Sequence, residues 1–248
     1  MSVNKSIYEK FIIESADQKR TADISAGVLA FTYFENIFSP HITARVVVTN
    51  TGGSIKGKDG NLQSIYNGLP LRGGERVIIK IAGNSKVNKG LDFSKNPFVI
   101  NKVSLRREVS SGGQIYDLSF VSPEAVKNTK KRISKSYARS KANIGEIVDD
   151  LMKLDKSGIQ TSKEVFVEPT LGTRNYVVPN SNPFTFISKL TKEAVSENGS
   201  PHYLFFENKK GFHFKTFQFL YKEAQEKGVR GEFHVGDKGF DEETTADP

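Results

Sequence analysis

The sequence predicts an α+β protein, an N-terminal antiparallel β domain followed by a smaller helix-plus-hairpin domain. Three observations carry this. Apolar residues alternate with period two up to residue 121, helical spacing with capping signals takes over from Ser122, and a two-stranded ribbon follows from Tyr203. The 248 residues suffice for one large domain or two modest ones with real cores.

Residues 6–121 read as mostly strand. Ile42, Ala44, Val46 and Val48 alternate with Thr43, Arg45, Val47 and Thr49, which gives one apolar face. Val77, Ile79 and Ile81 repeat the pattern after the Gly73-Gly74 break. Val99–Glu108 and Gln114–Phe120 flank Ser-Ser-Gly-Gly, a long hairpin in which Gly112 and Gly113 would supply positive φ. Tyr116, Leu118 and Phe120 share one face of its second strand. Strands separated by Gly-rich breaks suggest a sandwich or a small barrel. Thr49–Gly60 is a loop by composition, and Asn61–Tyr66 is a candidate short helix.

From Ser122 the pattern changes. Ser122-Pro123-Glu124 is an N-cap with proline at the first helical position, opening a helix near 123–135. Asn143, with Glu146 three residues on, is a capping box for a helix over 144–155, where Ile144, Ile147, Val148, Leu151 and Leu154 form one stripe. Asn182-Pro183 opens a third helix, 183–197, with Phe184, Ile187, Leu190 and Ala194 on one face and a left-handed cap at Asn198-Gly199. Tyr203–Glu207 and Gly211–Phe217 then form a hairpin over 203–217 about the polar turn Asn208–Lys210. The expected boundaries are 1–121, 122–217 and 218–248, the last a partial strand at Gly228–Val235, or linker, with an acidic tail.

Composition removes several classes. With no cysteine there are no disulfides or thiolate metal sites. The charged N-terminus lacks the apolar core of a secretory signal, and no apolar run approaches the roughly 20 residues a membrane helix needs. The formal charge of +8 raises nucleic acid as a partner, but its distribution is uneven. Lys127–Lys141 carries seven basic residues and no acid, whereas Asp237–Pro248 is acidic.

Catalysis finds no foothold. Gly52–Lys58 satisfies GxxxxGK, but Asp59 stands where Ser or Thr should hold magnesium, and Gly60 discourages the helix a P-loop needs. His41, His202, His213 and His234 lack metal spacing. Asp149-Asp150 point to different helix faces, so their adjacency does not make an acid–base pair. No nucleophile elbow and no GxGxxG occurs. Phe184, Phe186, Phe205, Phe206, Phe212 and Phe214 sit at core-like spacings rather than as stacking platforms for bases. The expectation is a non-enzymatic chain with no cofactor and no metal.

The order of motifs carries a resemblance. A β-rich N-terminal part is followed by FVSPEAVKN, the RISKSY segment and the NIGEIVDDLMK helix. Then comes Tyr176–Val178, Pro183–Leu190 in the form PFxFIxxL, Gly199, and the ribbon Tyr203–Phe214. In this order the chain resembles the baseplate hub proteins of contractile-tailed bacteriophages, and more distantly the hub part of type VI secretion spike proteins. The resemblance covers about the first 220 of the 248 residues.

The resemblance implies a tail-tube-like β-barrel at the N-terminus and a structural role in the virion, at the tail baseplate, after synthesis in the host cytoplasm. Such hubs look like trimers carrying two tube-like barrels each, whose six barrels imitate a ring of the tail tube and adapt it to the spike. The implied partners are further copies of the chain, a tail tube-side ring protein, the central spike protein and other baseplate proteins. No membrane partner is implied, and no nucleic acid beyond DNA passing the lumen. After Phe217 some thirty residues remain, too few for a complete second barrel, so 218–248 would begin a truncated one in a fragment or a reduced hub. The candidate interface residues are Lys127, Lys130, Lys131, Arg132, Lys135, Arg139, Arg106 and Arg107. The rival expectation is a nucleic-acid-binding β-barrel module using the basic segment 127–141.

Overall fold

The computed structural model describes residues 7–51, 55–56, 60–69, 71–83, 90–109, 113–138, 143–153 and 158–228. The first part is built by β1 (Ile7–Glu14), β2 (Thr21–Asp23), β3 (Val28–Phe34), β4 (Thr43–Thr51), β5 (Ile55–Lys56) and β6 (Leu62–Gln63). It continues with α1 (Ile65–Gly68), β7 (Arg76–Ala82), β8 (Leu91–Asp92), β9 (Phe98–Val109) and β10 (Gly113–Val121). The main sheet runs β2-β1-β7-β9-β10-β4-β3, with β8 paired to β7, and every pairing in it is antiparallel.

This sheet is curled, for identifiable reasons. Register shifts interrupt β1 at Tyr8/Lys10, β10 at Asp117/Leu118 and Ser119/Phe120, and β3 at Val28/Ala30, and such irregularities bend a strand. The end strands β2 and β3 are consecutive in the chain, joined by one 3₁₀ turn at Ser25–Gly27. That turn touches both flanks. Ser25 Oγ accepts from Phe11 N at 2.9 Å, Ile24 N donates to Phe11 O at 2.8 Å, and a Cβ on Gly27 would lie 2.2 Å from Thr49 O of β4. The Phe11 and Phe31 rings, from β1 and β3, meet at 5.7 Å. Among the described residues no backbone ladder joins β3 to β1 or β2.

The alternating residues fill that core. Phe11, Val46, Ile79, Tyr116, Leu118 and Phe120 are fully buried, each worth about 1.5–3 kcal/mol in removed apolar surface. The long hairpin forms as expected; Gly112 lies outside the described residues, and Gly113 opens β10. The expected helix at Asn61–Tyr66 is corrected to a strand, β6, followed by α1, which Ser64 caps by accepting from Asn67 N. The cause is Ile55, a buried residue in an otherwise polar loop, which pairs with Gln63 and packs on Gly68. In the GxxxxGK stretch, 52–54 and 57–59 lie outside the described residues.

The second part contains α2 (Pro123–Lys130), β11 (Ile133–Tyr137), α3 (Ile144–Lys153), β12 (Glu164–Val167), β13 (Tyr176–Ser181) and α4 (Pro183–Leu190). The hairpin β14 (Tyr203–Asn208) and β15 (Gly211–Thr216) and the helix α5 (Phe217–Lys227) complete it. The capping box is as read: Asn143 N donates to Glu146 Oε2 at 3.0 Å, and Glu146 N to Asn143 Oδ1 at 2.9 Å. Beyond Lys153, residues 154–157 lie outside the described residues.

Three expectations are corrected. The first helix ends at Lys130, not 135, because Ile133–Tyr137 pairs antiparallel with β13 and buries Ile133 and Tyr137. The third helix ends at Leu190, not 197. Val195 O accepts from Leu171 N at 2.7 Å and Ser196 bridges Thr170, which draws this backbone out of the helix. Gly199, at φ +78°, serves a separate turn closed by its N–H on Ser196 O. Last, 217–227 is a helix rather than linker, capped by Thr216 Oγ1, which accepts from Phe219 N at 3.0 Å. The candidate strand beyond Gly228 and the acidic tail lie outside the described residues.

The hairpin is central to this part. Asn208 Oδ1 accepts from Lys210 N and Gly211 N in its turn, and β12 adds a parallel strand along β15. Gly211 admits that third strand, since a Cβ there would lie 2.2 Å from Glu164 O. Phe205, Phe212 and Phe214 face a second core with Ile147, Val148 and Leu151 of α3 and Phe184 and Ile187 of α4.

Candidate assembly interface

The basic run does not form one patch. Lys127 Nζ donates to Gln160 O at 2.8 Å. Lys131 Nζ donates to Gly158 O and to Gln160 Oε1, and burial pushes its pKa down, with Lys127 adding to the shift. Arg132 donates to Asn182 Oδ1, while Asn182 Nδ2 donates to Asn128 O at 2.6 Å, so this residue ties the start of α4 to the end of α2. Lys135 pairs with Asp150 at 2.6 Å, and the same carboxylate accepts from Tyr137 Oη at 2.6 Å. Lys130 is exposed, with no ion pair among the described residues. Arg139 lies outside them. Arg106 and Arg107 stand on β9 opposite Tyr116 and Ile115, and Arg107 is exposed.

The strongest electrostatic feature was missed by the sequence reading. Lys163, just before β12, places its ammonium 2.8 Å from Glu124 of α2 and against Glu207 of β14, with all three side chains at most 5% exposed. Glu207 Oε2 accepts from Ile42 N of the curled sheet at 3.0 Å, and Glu124 Oε1 accepts from Thr161 Oγ1 at 2.8 Å. The cluster therefore pins the hairpin, α2 and the segment before β12 to the start of β4. Burial works against the charge on Lys163, but attraction to Glu207 and Glu124 outweighs it and raises its pKa. Burial raises the Glu207 pKa, against the pull of Lys163. Two carboxylates share one ammonium, so removing that ammonium would leave buried charge uncompensated.

Two smaller contacts accompany it. Glu35 Oε1 accepts from Lys209 N and from Tyr33 Oη, both at 2.6 Å, a second link from the sheet to the hairpin turn. Glu168, also buried, accepts from Thr216 N at 2.6 Å and Thr216 Oγ1 at 3.2 Å, holding the N-cap of α5.

One signal for the cluster was in the sequence. Tyr203, Phe205 and Glu207 share a strand face, so an acid stands at a core position and requires a partner. Nothing local identifies that partner. Of the histidines, His202 is exposed, His41 is half-buried and pushed down by burial, His213 is buried, and His234 lies outside the described residues. Among the described residues no cluster of His, Asp and Glu could hold a metal. Asp149 pairs with Lys153 and Asp150 with Lys135, so the two carboxylates are separately engaged.

No protein family and no curated protein matches the sequence. Among solved structures, the chain is similar to the 43 kDa tail protein of prophage MuSo2 from Shewanella oneidensis, at TM-score 0.52 and 10% identity over 84% of this chain and 54% of that one. It is also similar to the E. coli c3393 protein, a component of the type VI secretion system, at TM-score 0.47 and 12% identity over 85% and 48%. Prophage tail protein gp18 from Listeria monocytogenes follows at TM-score 0.44 and 11% identity over 84% and 51%. The chain spans about half the length of the tail protein at TM-score 0.52. At the level of the fold, the resemblance to a phage tail protein holds: over 84% of its length the chain is similar to about half of the prophage MuSo2 tail protein.

Proposed function

We propose that this chain is a non-enzymatic structural component of a phage-type tail, acting as a baseplate hub that assembles as a trimeric ring between the tail tube and the central spike. The observation that carries this reading is the curled antiparallel sheet braced by the helix-plus-hairpin part, in the fold of a prophage tail protein. In this reading the curled sheet is the tube-like barrel. Its edge strand β3 offers exposed Leu29 and Phe34 to a neighbour, 60% and 50% accessible, next to Phe38 at 75%. The tube-side ring protein, the spike and other baseplate proteins are the proposed partners, and the virion baseplate the proposed location. Lys130 and Arg107 remain the candidate interface cations with exposed side chains. Lys127, Lys131, Arg132 and Lys135 spend hydrogen bonds within the chain, which weakens the argument for nucleic acid.

Light scattering and class-averaged electron images test the proposal. A trimer or a three-fold ring, alone or with tube or spike protein, is the expected outcome. A monomer that neither assembles nor binds either protein would overturn it.

A further inference from the structure

The three-stranded sheet ends at β12, which pairs in parallel with β15 and, among the described residues, with no other strand. Two contacts fix the direction of its backbone. Glu168 N donates to Phe214 O at 2.9 Å, and a Cβ on Gly211 of β15 would meet Glu164 O at 2.2 Å. The even-numbered residues therefore turn their N–H and C=O groups towards β15. Backbone groups alternate along a strand, so those of Val165 and Val167 point to the free edge, where they are a template for a further strand. An open groove of about 790 Å³ runs there, between Val165 and Val167 and the outer stripe of α3. Gly145 keeps the helix close, since a Cβ on it would lie 2.9 Å from Val167 Cγ1. The stripe carries Glu146, Asp149 and Asp150 against the single cation Lys153, in a chain whose formal charge is +8. Asp149 pairs with Lys153 and Asp150 with Lys135, both partly exposed, where an ion pair is weak and exchangeable for an incoming cation.

We infer that this edge is a docking site for an extended segment of another protein, one in which lysine or arginine alternates with apolar residues. The segment adds a strand to β12 through the N–H and C=O groups of Val165 and Val167. Its successive side chains fall on opposite faces of the sheet. The cations meet the carboxylates of the α3 stripe, with their methylene stems laid on half-buried Val165 and Val167. The apolar side chains come down beside Phe166, also half-buried, on the other face. Backbone pairing supplies the affinity, and the sign of the charge selects the partner. The site lies in the second part of the chain and not on β3, so it does not rest on the trimer reading.

The test titrates the ¹⁵N-enriched full chain with the end-capped peptide Ser-Lys-Val-Lys-Val-Lys-Ser. Saturable shifts of the Gly145, Asp149, Val165 and Val167 amide signals are the expected result. No shift at these residues, or shifts centred elsewhere, overturns the inference. So does an equal response to Ser-Glu-Val-Glu-Val-Glu-Ser. Shifts at the same residues that grow with protein concentration in the absence of peptide would assign the edge to a second copy, and overturn it too. Val165→Pro removes one outward donor without touching the ladder to β15. With its fold checked by circular dichroism, this variant should bind the peptide about fivefold more weakly, the worth of one backbone hydrogen bond. Methylating the peptide's lysine nitrogens, or instead its valine nitrogens, reads the same dependence from the ligand side should the variant misfold. One of the two should weaken binding, and which one tells antiparallel from parallel addition. Unchanged affinity in folded Val165→Pro, or with both methylated peptides, counts against strand addition.

Discussion

The curled sheet and the part that follows it satisfy their buried charges in different ways. In the sheet the partners are close in sequence or on the adjoining strand. Glu75, 2% exposed, accepts from Arg72 N at 2.8 Å and Gly73 N at 3.0 Å, so it is a turn device within its own loop. Asp117 of β10 takes Arg45 from the neighbouring β4. In the second part the partners are remote: Glu207 finds Lys163 and Ile42, and Glu168 finds Thr216, across separations of 44, 165 and 48 residues. The central strand of the small sheet, β15, is buried at every position, whereas β12 at its edge is partly exposed. A sheet with one wet face can leave its polar residues in water. A strand buried at every position needs partners for its polar residues, and tertiary packing sets them, as Glu223 for Lys215 and Glu168 for Thr216. The His213 ring nitrogens are the exception, with no partner among the described residues.

The largest expected effect breaks that contrast at its centre. Lys163→Met should cost about 3–5 kcal/mol in urea unfolding, because it leaves Glu124 and Glu207 buried and unpaired. Replacing all three with apolar residues of similar volume should recover most of the loss. Leu118→Ala in the curled sheet should cost about 2–5 kcal/mol as an ordinary cavity, with no such rescue. If the triple variant is no more stable than Lys163→Met, the remote cluster contributes more than compensation of charge.

The next effect is in acid. Burial, with Lys215 adding to it, depresses the His213 pKa from an ordinary 6.5 to about 4. The unfolded chain therefore takes up the proton first as pH falls. The stability held by neutral His213 is full above 6.5 and is lost progressively towards 4, a change of about 3 kcal/mol. His213→Phe should flatten this limb of the stability–pH curve. Glu223 acts lower. Hydrogen bonds from Lys227 and Lys215 depress it from 4.5 to about 2, so its contribution is present above 4.5 and fades only below that. An unchanged acid limb in the His213 variant would place the sensitivity elsewhere.

Smaller effects sharpen the comparison on helix α3 and its surroundings. Asn143→Ala removes one arm of the capping box and should cost about 1 kcal/mol in thermal or urea unfolding. Lys130→Ala, at an exposed position without an ion pair among the described residues, should stay within about 0.5 kcal/mol of the parent. Any change Lys130→Ala makes in assembly, read by light scattering, would then report on an interface rather than on folding.

Legibility followed range. The strands at Thr43–Thr51, Arg76–Ala82 and Phe98–Val121 were readable because one face of each is apolar, and period two is a local property. The Asn143–Glu146 box was readable because both hydrogen bonds close within three residues. The end of α4 at Leu190 was not, because Leu171 captures the Val195 carbonyl from outside the helix. Nor was the strand at Ile133–Tyr137, whose pairing partner begins at Tyr176. Of the candidate interface residues, the sequence marked where the cations are, and packing decided that Lys127, Lys131, Arg132 and Lys135 would be engaged within the chain.

By itself, then, the sequence determined the α+β order, the alternating strands, the capped helix and the ribbon at Tyr203–Thr216, since each depends on neighbours within a few residues. Tertiary structure alone decided the curl of the large sheet, the parallel addition of Glu164–Val167 to β15, and the union of Lys163 with Glu124 and Glu207. These depend on which distant backbones and charges come within hydrogen-bonding range, and a pattern of local propensities does not encode those distances.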